Sequence, residues 1–411
     1  MTTTAEWIEV YQDLHRNPEL SFQETRTAGI VVERLTSLGY DVTPGIGGTG
    51  VVGVLRNGEG PVVMLRADMD ALPVEEKTGL DYASAARGTD DEGNDVAVMH
   101  ACGHDVHVTC LLAACKTLAA DIAGWAGTLI AVFQPAEEKG AGAKAMLDDG
   151  LLERFGTPAV VLGQHVAPLP AGAIGLRSGP TFATSDGVRI VLHGKGAHGS
   201  RPEASVDPVV MAAATVMRLQ TIVSREIAGG ETAVVTVGRM TAGTVINVIP
   251  DSAELLLNIR TFDTGVQERV LAAITRIAQG EAIAAGAPRE PEVDHLTSFP
   301  AVVNDPEAVE RTRPALAAVS AAIIDPGPVT GSEDVGLLAT AAGAPCVFWL
   351  LGGADPQLFQ GLTSVAEITE RVRSVPSNHS PLYAPAPDPT LAIGAAALVG
   401  AARTWLAGPA V

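Results

Sequence analysis

Cys102 and His104, one glycine apart, sit in the densest patch of metal-binding side chains in this 411-residue chain. The segment from Met99 to His107 holds three of the nine histidines, His100, His104 and His107, within eight positions. Thiolate and imidazole bind zinc-like cations readily. The one-residue gap lets both reach a single centre, and Gly103 permits a tight backbone there. A helix start at this point favours the thiolate. The bland alternative is an inert buried thiol beside a hydrogen-bonded histidine; the density of the cluster favours ligation. His100 and His107 read as supporting residues.

A hydrolase with two metal ions needs further ligands, open positions for water and substrate, and one carboxylate free of ligation. Glu138, His165 and His379 are the candidate ligands, with Glu137 spare. Adjacent glutamates point in different directions, so one can ligate while the other faces water. Taken singly, Glu137-Glu138 also fits a solvated helix start. His165 equally fits a satisfied core histidine, and His379 lies in a Pro/Ser-rich loop. His198, in a glycine-flanked loop with Lys195 and Arg201, is either a surface residue or a binder of an oxyanion or carboxylate. Asn247 and Arg260 could serve the same anion.

These residues need elements to position them. Trp7, Val10, Tyr11 and Leu14 have helical spacing over 5–16. Ser21 with Glu24 fits a capping box for a helix ending at Gly39. Short β-branched runs at Val51–Leu55 and Val62–Leu65 predict strands. A helix over about 105–120, a strand over 127–133, a Gly/Ala-rich helix to about 149 and an apolar run at 158–163 follow. This alternation implies a mostly parallel sheet covered by helices. Sites form outside the carboxyl ends of such strands. Asp68, Glu137, Glu138 and His165 all follow apolar runs, so the topology gathers them on one edge.

After Gly172 the order becomes β-α-β-β-α-β in roughly 110 residues, a ferredoxin-like arrangement. It predicts an inserted α+β domain over 183–296, interrupting a discontinuous catalytic domain of 1–182 and 297–411. The first pattern resumes with helices over 305–319 and 335–342 and a strand over 345–351. An irregular stretch then runs to His379, and an Ala-rich helix closes the chain.

Length alone points to two domains. The net charge of −20 is spread along the chain, which argues against nucleic acid or an anionic membrane as partner. Met1 to Val10 shows no basic region followed by an apolar run, so no signal peptide is expected. The most apolar C-terminal run, Leu391 to Ala402, is short of the roughly 20 residues a membrane span needs. Four cysteines without framework spacing suit a reduced, cytoplasmic protein.

Seven motifs occur in a telling order: Arg66–Pro73 (Arg-Ala-Asp-Met-Asp-Ala-Leu-Pro), Met99–Asp105, Gln134–Glu138, His193–Pro202, Asn247–Pro250, Gly331–Asp334 and Asn378–Pro381. Together they resemble the hippurate hydrolase and N-acyl-amino-acid amidohydrolase family, within the binuclear-metal aminoacylase and carboxypeptidase superfamily. The resemblance spans nearly the whole chain. It implies a catalytic α/β domain with an inserted lid domain through which homodimers form. Residue by residue, it implies Cys102 bridging two divalent ions (Zn, Mn, Co or Ni), with His104, Glu138, His165 and His379 completing the set. Glu137 matches the general base and His198 the lid histidine that stabilises the oxyanion, commonly in the partner's site. Asn247 and Arg260 match substrate-carboxylate contacts. The superfamily's His-x-Asp motif is altered, with Arg66 at the histidine's place, so Asp68 is expected to act through a hydrogen bond to a ligand.

The resulting expectation is hydrolysis of the amide bond of a small N-acyl amino acid, giving a carboxylate and a free amino acid. Two readings from other classes stand beside it. One is a cysteine amidase with Cys102 as nucleophile. The other is a non-catalytic binding protein that retains one structural metal.

Overall fold

Runs of Val, Leu and Ile that are apolar on both faces become strands covered on both sides, and those runs build the central sheet here. The computed structural model describes residues 3–320, 322–362 and 364–406. The chain begins with α1 (Ala5–Arg16), α2 (Thr25–Ser37), β1 (Asp41–Ile46), β2 (Gly50–Asn57) and β3 (Val62–Asp68). Next come α3 (His104–Ala120), β4 (Gly127–Gln134), α4 (Gly142–Asp148), β5 (Val160–Pro170) and β6 (Ala173–Gly175). A second group follows: β7 (Ser185–His193), β8 (Ala197–His198), α5 (Pro208–Thr221), β9 (Ala233–Ala242), β10 (Val248–Ile249), β11 (Ser252–Thr261), α6 (Thr264–Ala285) and β12 (Glu292–Phe299). The chain then returns through α7 (Pro306–Val319), β13 (Ala322–Ile324), α8 (Val335–Ala342), β14 (Cys346–Ala354), α9 (Val365–Ser374) and α10 (Pro387–Leu406).

Two compact units result. One comprises 1–179, 303–327 and 334–411, and the other 180–302 and 328–333. In the first, eight strands lie in the order β1-β2-β4-β3-β5-β14-β6-β13. The central four, β4, β3, β5 and β14, are mutually parallel. The sheet is therefore mixed but parallel where it is most buried, as expected from the alternation of strand and helix. Helix α3 is buried on nearly every side, through Val106, Val108, Leu111, Leu112 and Leu118, which explains why its sequence lacks a polar face. Helix α10 packs against α3 and α7. By length and composition α10 could cross a membrane, but 61% of its apolar window is buried inside the protein, as in a core helix.

In the second unit four antiparallel strands lie in the order β9-β11-β7-β12. This is the ferredoxin-like arrangement. Helices α5 and α6 close its core with Val188, Ile190, Leu255, Leu257, Val270 and Ile274.

Two expectations are corrected, and one strand was not anticipated. Ser21 forms no capping box: Glu24 is the N-cap of α2 with no side-chain cap bond, and the Ser21 hydroxyl donates to Asp70 instead. The stretch before His379 is not wholly irregular, since Ser364 and Glu367 form a capping box that starts α9. Finally, β1 pairs with β2 although Pro44 and two glycines within or beside it hide its strand pattern.

The packing of α1 against α3 contains a buried charge cluster. The His15 ring bonds Asp105 at 2.6 Å and Glu76 at 3.1 Å. Burial lowers the pKa of His15, but the two carboxylates outweigh it and raise it to about 9. A histidine whose folded pKa lies above its unfolded value near 6.5 contributes stability fully below that unfolded value. The contribution is lost as pH rises through the folded value. The unfolding temperature should therefore fall between neutral pH and about pH 9. In His15→Gln this alkaline slope should flatten, as followed by circular dichroism; an unchanged slope would contradict the assignment.

Candidate metal centre

The parallel strands of the first unit end at a set of loops that carry the candidate ligands. Cys102 precedes α3, and His104 is the first residue of that helix. Between them Gly103 has φ +84°, and a Cβ there would lie 2.4 Å from Val166 Cγ1, so only glycine fits this turn. The loop after β4 delivers Glu137 and Glu138, with Ala136 at φ +49°, a left-handed backbone that is strained for alanine. His165 does not follow its strand as expected; it lies inside β5, opposite Leu350 of β14. His379, also left-handed at φ +69°, is anchored by its N–H donating to the Ala101 carbonyl at 2.8 Å.

These loops converge. Cys102 Sγ lies 3.5 Å from His165 Nε2, and His379 Nε2 lies 3.4 Å from Glu138 Oε2. His104 Nε2 is 3.9 Å from both Glu137 Oε2 and Glu138 Oε1. Cys102, His104 and His165 each offer one atom within 4.8 Å of the others, and so do Cys102, Glu138 and His379. The two triads share only Cys102. A third group joins His104, Glu137 and Glu138.

Several features of this donor set fit metal ions. Among the described residues, the buried His104 Nε2 and Glu138 Oε1 have no hydrogen-bond partner, a costly state unless a cation completes them. His104 directs Nδ1 to Asp70 Oδ1 at 3.2 Å, and His165 directs Nδ1 to the Val166 carbonyl at 2.8 Å. Each thereby turns Nε2 toward the cluster, the usual arrangement of a ligating histidine. Burial and then His107 hold His165 well below the usual histidine range, so its imidazole is neutral and its lone pair available. Burial lowers His104, but Asp68 and Asp70 outweigh it and raise the group to about 10; the site attracts positive charge. Burial, Glu138 and Glu137 push the Cys102 thiol well above its ordinary value. This departs from the expected helix-start thiolate: burial and the negative neighbours win, and a bound cation would favour deprotonation.

Asp68 ends β3, two residues after Arg66. The Arg66 guanidinium is buried and donates to Asp68 Oδ2 at 2.7 Å, to Gln134 Oε1 at 2.9 Å and to Asp334 Oδ1 at 2.9 Å. Asp68 Oδ1 bonds His107 Nδ1 at 2.5 Å, and His107 Nε2 accepts the Val166 N–H at 2.8 Å. Burial raises Asp68, yet Arg66, His104 and His107 hold it well below the carboxylate range. His107 thus joins Asp68 to the backbone beside His165. His100 is buried with neither ring nitrogen hydrogen-bonded among the described residues, and burial pushes it down to about 4.

His198, Asn247 and Arg260 belong to the second unit. Strands β8 and β10 pair His198 with Val248, and the Gly199 N–H donates to the Asn247 carbonyl at 2.8 Å. The Ser200 N–H donates to His198 Nδ1 at 3.1 Å, so an imidazole proton resides on Nε2, ready to donate outward. Arg260 is a separate feature at the end of β11, tied to Asn258 Oδ1 at 3.1 Å and the Thr330 carbonyl at 2.7 Å.

Sequence reasoning missed three contributors. Asn378 Nδ2 donates to the carbonyls of Cys102 at 3.0 Å and Val166 at 3.1 Å, tying three ligand-bearing segments together. Glu24 accepts the Ala136 N–H at 2.8 Å, and burial followed by Asp70 raises its pKa to about 7. Asp70 bonds His104. Its signal was membership of the motif Arg66–Pro73, which singled out no role for it.

Comparisons with known proteins show the family of this chain. Residues 64–361 match the family described as peptidase family M20/M25/M40. The chain is 40% identical over 307 residues to the hippurate hydrolase of Campylobacter jejuni, covering 74% of this chain and 76% of that one. It is 37% identical over 335 residues to the N-acetyl-L-cysteine deacetylase of Bacillus subtilis, covering 81% and 77%. Among solved structures, the Bacillus subtilis YXEP protein, described as a dinuclear metal binding peptidase, superposes with a TM-score of 0.78 at 30% identity, covering 98% of both chains.

Proposed function

This chain belongs to peptidase family M20/M25/M40 and is a hydrolase of that family; from that premise we propose that it cleaves the amide bond of small N-acyl amino acids. The observation that carries this reading is the pair of ligand triads sharing Cys102. Cys102, His104 and His165 would hold one divalent ion, and Cys102, Glu138 and His379 a second. Zn, Mn, Co and Ni all suit such sulfur, nitrogen and oxygen donors. When bound, the ions supply an acidified water and Lewis-acid polarisation of the scissile carbonyl.

The protein's own groups do the rest. Glu137, nearly buried at 4% exposure beside His104, takes the proton of the attacking water and returns it to the leaving amine. His198 donates its Nε2 proton to the developing oxyanion, from the second unit of a partner copy. Asn247 and Arg260 offer an amide and a guanidinium to the substrate carboxylate. Homodimerisation through the second unit agrees with the edge of β9, which pairs with no further strand among the described residues and where Val234 and Met240 are exposed. Four buried cysteines that form no disulfide among the described residues suit a reducing, cytoplasmic setting.

The relatives act on hippurate and on N-acetyl-L-cysteine by name, which supports the acyl-amino-acid class. A hydrolysis screen of N-acetyl, N-benzoyl, N-succinyl and indole-acetyl amino acids with added divalent ions tests it. Chelation should abolish turnover, and one of the four ions should restore it. Activity that survives complete metal removal would favour a thiol nucleophile at Cys102. The raised thiol argues against that alternative, because a nucleophilic cysteine needs a depressed pKa.

A further inference from the structure

Side chains alternate along a strand, so Glu254, Asn258 and Arg260 of β11 lie on one face of the sheet in the second unit, away from the core residues Leu255 and Leu257. Arg189 of β7 and Arg239 of β9, both opposite Leu256, lie on the same face. Carboxylates neutralise those two arginines. Arg189 bonds Glu254 at 2.6 Å and Asp294 at 3.0 Å, and Arg239 bonds Glu254 at 2.6 Å.

Arg260 is held differently. Its Nε donates to Asn258 Oδ1 at 3.1 Å and its Nη1 to the Thr330 carbonyl at 2.7 Å. Both acceptors are neutral. Burial lowers the Arg260 pKa: among the described residues the guanidinium is partly desolvated with no opposite charge bonded to it, a state that an anion relieves. Asn258 is braced in turn, since its Nδ2 donates to the buried Ser185 hydroxyl at 3.0 Å. An amide has one donor end and one acceptor end. With the donor end on Ser185, the oxygen is the end that meets Arg260.

We infer that Asn258, braced by Ser185, is a positioning residue that aims the Arg260 guanidinium at the substrate carboxylate without cancelling its charge. The inference rests on the proposed reading of Arg260 as a carboxylate contact. Asn258 occupies Nε and Thr330 one proton of Nη1, which leaves Nη2 and the second Nη1 proton for an anion. Ordering a long arginine before the substrate arrives removes an entropic cost from binding. An aspartate at 258 could hold the guanidinium as firmly, but it would compete with the substrate for the same charge.

The experiment is steady-state kinetics on the acyl amino acid that the screen above ranks first and on its α-carboxamide, used as substrate or as competitive inhibitor. Asn258→Ala should raise KM for the acid about 10-fold, the effect of losing one hydrogen bond to a charged group, with the turnover number close to wild type. Binding of the carboxamide should not change. In Arg260→Ala the further change Asn258→Ala should have no effect on KM, because the residue acts only through the guanidinium. An unchanged KM for the acid in Asn258→Ala would overturn the inference. So would an equal loss for acid and carboxamide, which marks a general distortion, or full additivity in the double variant. Arg260→Ala separates the two levels: if it leaves KM for the acid at the wild-type value, the reading of Arg260 itself fails. If it raises KM and Asn258→Ala does not, only the inference fails. Should Asn258→Ala not fold, Ser185→Ala decides, since it frees the amide to turn: a raised KM confined to the acid is expected, and a wild-type KM would overturn the bracing.

Discussion

Glu137→Gln should retain both metal ions and lose most of its turnover. Glutamine keeps the size of the side chain and the backbone N–H that binds Asp70 Oδ1 at 3.1 Å. It removes only the capacity to accept and return a proton. General acid–base groups contribute roughly 10²–10⁴-fold to rate, so the turnover number should drop within that range. KM should stay close to wild type, because the substrate contacts proposed here lie elsewhere. Metal content by plasma emission spectrometry should remain at the wild-type ratio, since Glu138 and not Glu137 shares a triad with Cys102. Turnover near wild type would sink the base assignment. Loss of an ion would instead move Glu137 into the ligand set, a contact that the group of His104, Glu137 and Glu138 makes geometrically available.

Cys102→Ala should release both ions together, whereas His104→Gln should chiefly weaken one. The reason is geometric: Cys102 Sγ belongs to both triads, while His104 joins Cys102 and His165 in one. Removing the shared thiolate also removes the negative charge that keeps two cations tolerable at close range. Metal analysis after exhaustive buffer exchange checks this. One tightly held ion in Cys102→Ala would show that the two positions are independent. The histidine variant leaves Asp68 and Asp70 facing each other without the imidazole between them. Its unfolding temperature should therefore fall more than that of Cys102→Ala, which loses only a small buried group.

Much of this protein is legible in its amino-acid order because the signals are local. Apolar runs broken by glycine mark the parallel strands, and the change to β-α-β-β-α-β marks the second unit. Short motifs, and for His165 the end of an apolar run, mark six residues that do lie in one cluster: Cys102, His104, Glu137, Glu138, His165 and His379. Local signals also mislead. Ser21 and Glu24 have capping-box spacing, yet both reach across to loops of the site, because a buried carboxylate and orphaned peptide N–H groups gain more from each other than from a helix end that water can serve. The stretch before His379 looks irregular, yet a capping box starts a short helix there.

For Cys102 and His104, the spacing alone marked them as candidate ligands of one centre, since two donors one residue apart can reach a common ion. What only the tertiary structure decided is how the rest of the chain closes on them. Asp70 and Asn378 make bonds to residues 34 to 276 positions away, and no period or motif encodes such distances. The state of the Cys102 thiol was also beyond local reasoning. A helix start favours the thiolate, but burial and then Glu138 and Glu137, brought close by the fold, push the other way. Pairing between distant loops follows from which buried polar groups would otherwise go unsatisfied, a condition that exists only once the chain has packed.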